Sequence, residues 1–175
     1  MITTDLIIAN CLSLGSSAFT YASSWAKDER RIYWYQVGQC FVLALAYIFF
    51  HSYAGIATLI LCTVRNILLA TGKYNKTLCI ILSVGMVVFG AAVNNNGMIG
   101  WIIIAANTIY TIGAFFAKNE LLIKLNIILD LALWMVYEVF MKDIPSFIAD
   151  GIGIAVAIAA IVRYFRTRKS EAAQK

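Results

Sequence analysis

Seven apolar stretches, each near the ~20 residues that a helix needs to cross a bilayer, follow one another with only short polar joints between them. They cover residues 2–22, 32–50, 54–70, 77–93, 98–116, 121–140 and 146–165, and the joints are 25–31, 51–53, 71–76, 94–97, 117–120 and 141–145. Such short joints favour antiparallel neighbours, so the expected fold is an all-α integral membrane protein with seven transmembrane helices. Composition agrees. The chain is 62% hydrophobic and 13% charged, where a soluble domain has about half and about a quarter, and its mean hydropathy is +0.81. The single proline, Pro145, and the lack of any long polar run leave no room for a soluble domain or flexible linker, so residues 1–175 read as one membrane domain. The first stretch opens with Asp5 rather than a basic region and runs into further spans, which predicts a retained helix and not a cleaved signal peptide.

The basic residues set the expected orientation. With an odd number of spans, the first, third and fifth joints and the C-terminal tail share one side. That side collects Lys27, Arg30, Arg31, Lys73, Lys76, Lys118, Arg166, Arg168, Lys169 and Lys175, with Lys124 and Arg163 at nearby helix ends, while the other side has Lys142 alone. Because cytoplasmic joints keep Lys and Arg, the N-terminus is expected outside and the C-terminus in the cytoplasm. The tail 166–175 reads as a topology anchor beside anionic membrane lipid, not as a nucleic-acid-binding element. Tyr33, Trp34, Tyr35 and Trp101 read as interfacial aromatic residues. Cys11, Cys40, Cys62 and Cys79 lie within apolar segments and form neither a disulfide framework nor metal-ligand spacing. His51 opens a short joint, where a solvated or interfacial role is expected. Without a metal cluster or a Ser/His/Asp set, the sequence predicts no enzyme, no metal and no cofactor.

An internal repeat runs through the chain. Ala26-Lys27-Asp28-Glu29 followed by Ile32 is echoed by Ala117-Lys118-Asn119-Glu120 followed by Ile123, and the same gap-free offset sets Gln39 opposite Asp130. Ile7-Ile8-Ala9-Asn10 is echoed by Ile104-Ala105-Ala106-Asn107, with a short insertion in the first copy. The expected plan is 3+1+3: a three-helix unit in 1–70, a linker helix in 77–93, and a second unit in 98–165. An odd joining helix makes the two repeats parallel, as in transporters whose site lies at the repeat interface near the midplane. The fourth span carries no charge and reads as a lipid-facing connector.

Lys27-Asp28-Glu29-Arg30-Arg31, Phe50-His51-Ser52-Tyr53-Ala54-Gly55, Val64-Arg65-Asn66, Trp134-Met135-Val136 and Val162-Arg163-Tyr164-Phe165 resemble the YgjV-like family of bacterial inner-membrane proteins over nearly the whole chain. That resemblance implies a multi-pass protein of the bacterial inner membrane. The three-one-three plan also resembles SWEET-type sugar transporters and PnuC-type vitamin transporters. This implies passive movement of a small solute by alternating access, often in a homo-oligomer that is a trimer. The alternative is a non-transporting scaffold, or a module that binds a partner or lipid.

The residues that break the spans are the candidates for a solute site. They are Asn10, Gln39, Arg65, Asn66, Asn107, Asn126 and Asp130, with Trp134 one turn from Asp130. Asn126, Asp130, Trp134 and Tyr137 share one helical face, while Ile127, Ile128, Leu131 and Val139 are expected to point largely elsewhere. A rise of 1.5 Å per residue puts Arg65 roughly 16 Å and Asp130 about 15 Å below the outer surface. The two should therefore face one cavity or bond directly, since a buried charge needs a partner. A persistent pair would make the protein a facilitator indifferent to a proton gradient, and neither an intramembrane His nor a chain of acids leads to Asp130. Glu138 and Asp150 are expected in the outer third, as an acidic rim at an external entrance or as hydrated interfacial groups.

Overall fold

The computed structural model describes residues 3–173, with side chains described through 167. Residue 2, the side chains of Arg168 and Lys169, and all of Lys175, which the expectations above invoke, lie outside the described residues. Seven α-helices follow one another: α1 Thr4–Trp25, α2 Glu29–Phe49, α3 Tyr53–Ala70, α4 Lys76–Ala92, α5 Gly97–Phe116, α6 Glu120–Met141 and α7 Ile144–Ala173. Five of them, α1, α2, α3, α5 and α7, are long and apolar enough to cross a membrane. Helix α4 is apolar but has 17 residues. Helix α6 has 22 residues and includes Glu120, Lys124, Asp130 and Glu138. The expected tail is no separate segment, because α7 continues through Ala173.

Local chemistry starts and stops these helices. Thr3, Asp28, Ser52, Asn75 and Asn119 each accept a hydrogen bond from the amide three residues on, satisfying one of the orphan N–H groups of α1, α2, α3, α4 and α6. Asp143 accepts likewise from Ser146 N at 3.1 Å. Helices α2 and α6 end in the same way. His51 at φ 53° and Lys142 at φ 60° adopt the left-handed conformation, and the next amides, Ser52 N and Asp143 N, return to Tyr47 O at 3.1 Å and Glu138 O at 3.0 Å. Each residue that closes one helix thus stands beside the residue that caps the next.

Helix neighbours form a ring. Helix α1 packs on α2, α2 on α3, α3 on α5, α5 on α6, α6 on α7, and α7 returns to α1. Helix α4 packs on α3 and α5 outside that ring, burying Cys79, Leu82, Met86 and Gly90. Large apolar side chains cover the exterior of every helix, among them Leu14, Phe41, Ile60, Ile81, Phe89, Leu129 and Ile158. A continuous apolar exterior of this kind suits lipid and not water.

Two apolar clusters fill the interior. One, toward the joints that carry His51 and Lys142, holds Tyr47, Phe50, Ile103, Trp134 and Tyr137. The other, toward the opposite and more basic end, holds Ile32, Tyr33, Tyr110, Ile123 and Ile127. Buried polar side chains lie between them.

Candidate functional site

Arg65 is the centre of that polar layer and is 3% exposed. On α3 the positions Thr58, Leu59, Cys62, Arg65 and Asn66 repeat at helical spacing and all are buried, so the stripe facing the ring is mixed in polarity. The guanidinium donates from Nε to Asn66 Oδ1 at 3.0 Å and from Nη1 to Thr111 Oγ1 at 3.0 Å, and lies 4.3 Å over the Tyr110 ring. These contacts hold it across to α5 instead of letting its stem reach the membrane surface.

Around it the hydrogen bonds form a belt from α2 to α5. Gln36 and the Tyr110 hydroxyl are bonded at 2.7 Å. Asn107 accepts from Cys62 Sγ at 3.0 Å and donates to Thr58 Oγ1 at 3.1 Å. Thr111 in turn donates to Asn107 O at 2.7 Å.

Asp130 enters from α6 on the other side. It lines the same cavity as Gln39, Arg65, Asn66, Asn107 and Trp134, and its Oδ1 is buried without a hydrogen-bond partner. Arg65 and Asp130 thus face one cavity but do not bond: among the described residues the ion pairs are His51–Asp5 and Arg163–Glu120. The cavity holds about 30 Å³, room for little more than a water. Trp134 lines it and packs on Tyr47 and Tyr137, with ring centroids 5.8 to 6.1 Å apart. Tyr110 and Ile127, of the second apolar cluster, line it as well.

Three expectations need correcting. Ile127 and Leu131 line the cavity with Asp130, because a small ring of helices exposes a wide stripe of α6 to its centre. Asn126 turns to α5 instead, where Nδ2 donates to Tyr110 O at 3.1 Å and the amide fills the notch at Gly113. Glu138 and Asp150 form no open rim, being 1% and 5% exposed, since α6 and α7 pack face to face there.

Asn10 is likewise separated from its echo Asn107. Its amide donates to Leu6 O at 2.7 Å on its own helix, and it lines a lateral groove of about 680 Å³ between α1, α6 and α7. His51 is exposed and sits 3.3 Å from Asp5. Tyr110, Thr111 and Thr58 are not marked as site residues by residue type, although Asn107, Tyr110 and Thr111 fall at one-turn spacing, which is a usable signal, and Gln36 lies one turn from Gln39 on the same stripe of α2. Asp143, between α6 and α7, is fully buried; burial pushes its carboxyl up, against the hydrogen bonds from Ser13 and Ser146 that hold it down.

The Gly113 notch supports a direct test of the α5–α6 contact. A Cβ there would collide with Asn126 Oδ1, so Gly113→Ala should cost about 1–3 kcal/mol through overpacking. Thermal unfolding in detergent measures it. Asn126→Ala in the same background should recover part of the loss, and an unshifted transition in Gly113→Ala would show that the notch is loose.

Residues 7–168 match the Imp-YgjV family, described as a bacterial inner membrane protein. No curated protein and no solved structure matches the chain.

Proposed function

Since the chain belongs to the Imp-YgjV family of bacterial inner membrane proteins, we propose that it is a small-solute transporter or facilitator of that membrane, working by alternating access around Arg65 and Asp130. One observation carries this reading. A basic and an acidic side chain line a single mid-bundle cavity without forming an ion pair. A purely structural pair would close on itself to recover its desolvation cost, whereas groups held apart leave donors and an acceptor for a third party. A sugar, nucleoside or vitamin offers complementary hydroxyl and amide groups, and Trp134 offers it a flat face. The cavity of about 30 Å³ fits no such solute, so the bundle must open further to admit one.

The proposed 3+1+3 plan of parallel repeats supports the same reading. The offset that sets Gln39 opposite Asp130 also matches the caps Asp28 with Asn119 and Ser52 with Asp143, and the left-handed His51 with Lys142. The ring neighbours follow the same symmetry, with α3–α5 answering α7–α1 and α4 outside as the linker. We place the N-terminus outside and the C-terminus in the cytoplasm on the Lys and Arg bias. Membrane lipid is the expected surface partner, nucleic acid is not, and a homo-oligomer, a trimer by analogy of plan, completes the proposal. We assign it no catalytic role.

The size of the cavity favours a second reading, in which the bundle is a scaffold that binds a partner or lipid and moves nothing. A stabilisation screen separates the two. A ligand present at a hundredfold its Kd stabilises the folded state by roughly 2.7 kcal/mol, so at least one small metabolite should raise the unfolding temperature of the wild type and not of Asp130→Asn. That metabolite should then enter proteoliposomes. A complete screen without such a ligand would leave the scaffold.

A further inference from the structure

We propose that the lateral groove between α1, α6 and α7 binds a phospholipid with a single acyl chain, whose phosphate meets Lys142 and whose free glycerol hydroxyl meets Asn10 and Glu138. The groove shares no lining residue with the central cavity, so the site stands whether or not a solute crosses at Arg65 and Asp130. Its walls are apolar. Ile7 and Leu14 of α1, Val139 of α6, and Ile144 and Phe147 of α7 line it with side chains exposed on the exterior. Leu6, Asn10 and Leu14 follow at steps of four on α1, so the groove runs roughly 12 Å from the end that carries the α6–α7 joint toward the middle of the bundle. A membrane lipid lies in the same direction, with its head at the surface and its chain toward the bilayer centre.

Polar groups line the groove at two depths. Lys142 stands at the mouth, where its left-handed backbone ends α6. It is exposed and takes part in no ion pair among the described residues. An uncompensated ammonium at the mouth of an apolar groove suits a phosphate, which it meets as a point charge. Asp143 beside it is already committed, since one carboxyl oxygen takes Ser13 Oγ at 2.8 Å and the other takes Ser146 N at 3.1 Å.

One turn deeper, about 6 Å by helical rise, are two oxygens without donors. Asn10 donates from Nδ2 to Leu6 O at 2.7 Å, which fixes the amide and leaves Oδ1 with no partner among the described residues. Glu138 lines the same groove, is 1% exposed, and has its Oε2 buried without a partner. A polar atom that faces hydrocarbon unsatisfied is costly, so the fitting occupant carries a hydrogen-bond donor at this depth. The two glycerol esters of a diacyl phospholipid present only acceptors there. A monoacyl phospholipid keeps one glycerol hydroxyl free, which donates to Asn10 Oδ1 with Glu138 Oε2 as the second acceptor, and it brings one chain to one groove.

Native mass spectrometry of the protein in a neutral glycoside detergent tests this, with oleoyl lysophosphatidylethanolamine as the probe. One copy should bind per chain, roughly 10-fold more tightly than its glycerol O-methyl ether, which lacks the donor, and than dioleoyl phosphatidylethanolamine. These comparisons use the wild type, so they hold even where a variant fails to fold. Lys142→Asn, which keeps the left-handed turn, and Asn10→Leu, which removes the acceptor at nearly constant size, should each weaken binding by a similar factor. Position is read at Cys11, an exposed thiol on the groove wall. The bound probe should slow its alkylation by N-ethylmaleimide several-fold in the wild type and not in Asn10→Leu. Equal affinity for the ether or the diacyl lipid overturns the proposal, and so does binding that leaves Cys11 unprotected. A dimer that shields Cys11 without added lipid overturns it too, and would assign the groove to a second copy of the chain.

Discussion

Arg65→Lys is expected to cut solute flux by roughly 10- to 100-fold in proteoliposomes while leaving the protein folded. The charge is kept, so Asp130 still faces a cation across the cavity. The fork is not. Nε and Nη1 of Arg65 reach Asn66 and Thr111 at once, and the planar group lies 4.3 Å over Tyr110, whereas an ammonium is a point charge on a flexible stem. One hydrogen bond to a charged group is worth about 1.5–3 kcal/mol, and about 1.4 kcal/mol is tenfold. The solute found by the stabilisation screen is the probe, with size-exclusion behaviour as the check on folding. Wild-type flux in Arg65→Lys would show that only the charge matters there; wild-type flux in Arg65→Met as well would remove Arg65 from the mechanism.

How far the sequence reveals this site depends on whether a signal is local. The left-handed turns at His51 and Lys142 and the caps at Asp28, Ser52 and Asn119 are set by a few consecutive residues, and the spans they bound emerge as helices close to the expected limits. The common depth of Arg65 and Asp130 follows from helical rise alone, and the two do line one cavity. Direction around the helix is harder. Asn10 and Asn107 are the same residue in echoing words, yet one folds back on Leu6 O beside a lateral groove and the other bridges Cys62 and Thr58. That difference comes from which helices stand next to α1 and α5, and no nearby residue encodes it. The burial of Glu138 and Asp150 is invisible for the same reason, since it depends on how α6 and α7 pack.

Lys124 shows most clearly what charge counting misses. By position it counts among the basic residues that fix orientation, but it is fully buried, and its Nζ donates to Ser23 O at 2.9 Å and Ala26 O at 2.7 Å. Those are carbonyls at the end of α1, where the helix has no amides left to satisfy them. Arg163 on α7 supports the same end, donating to Trp25 O at 3.0 Å and lying 4.2 Å over the Trp25 ring. The basic end of the ring is therefore locked by cations from α6 and α7 onto α1. Thr20 and Ser23 of that end also line the central cavity, together with the native thiol of Cys40.

Lys124→Met, which fills the space without the two bonds, should cost about 3–6 kcal/mol at about 1.5–3 kcal/mol for each charge-assisted bond. Part of that loss should appear as opening toward the cavity from the basic end. A membrane-impermeant maleimide, its site read by mass spectrometry, should then label Cys40 roughly 10- to 100-fold faster in Lys124→Met than in the wild type, where the thiol is protected. Glu120→Gln, which loosens the partly exposed Arg163 pair at 3.4 Å and leaves both Lys124 hydrogen bonds in place, should change the rate little, because pairs near the surface contribute about 0–1 kcal/mol. Equal, slow labelling in Lys124→Met and wild type would mean that access to the cavity from this side is not held by α1, and Tyr110 and Ile127, which also line it, would have to block it alone.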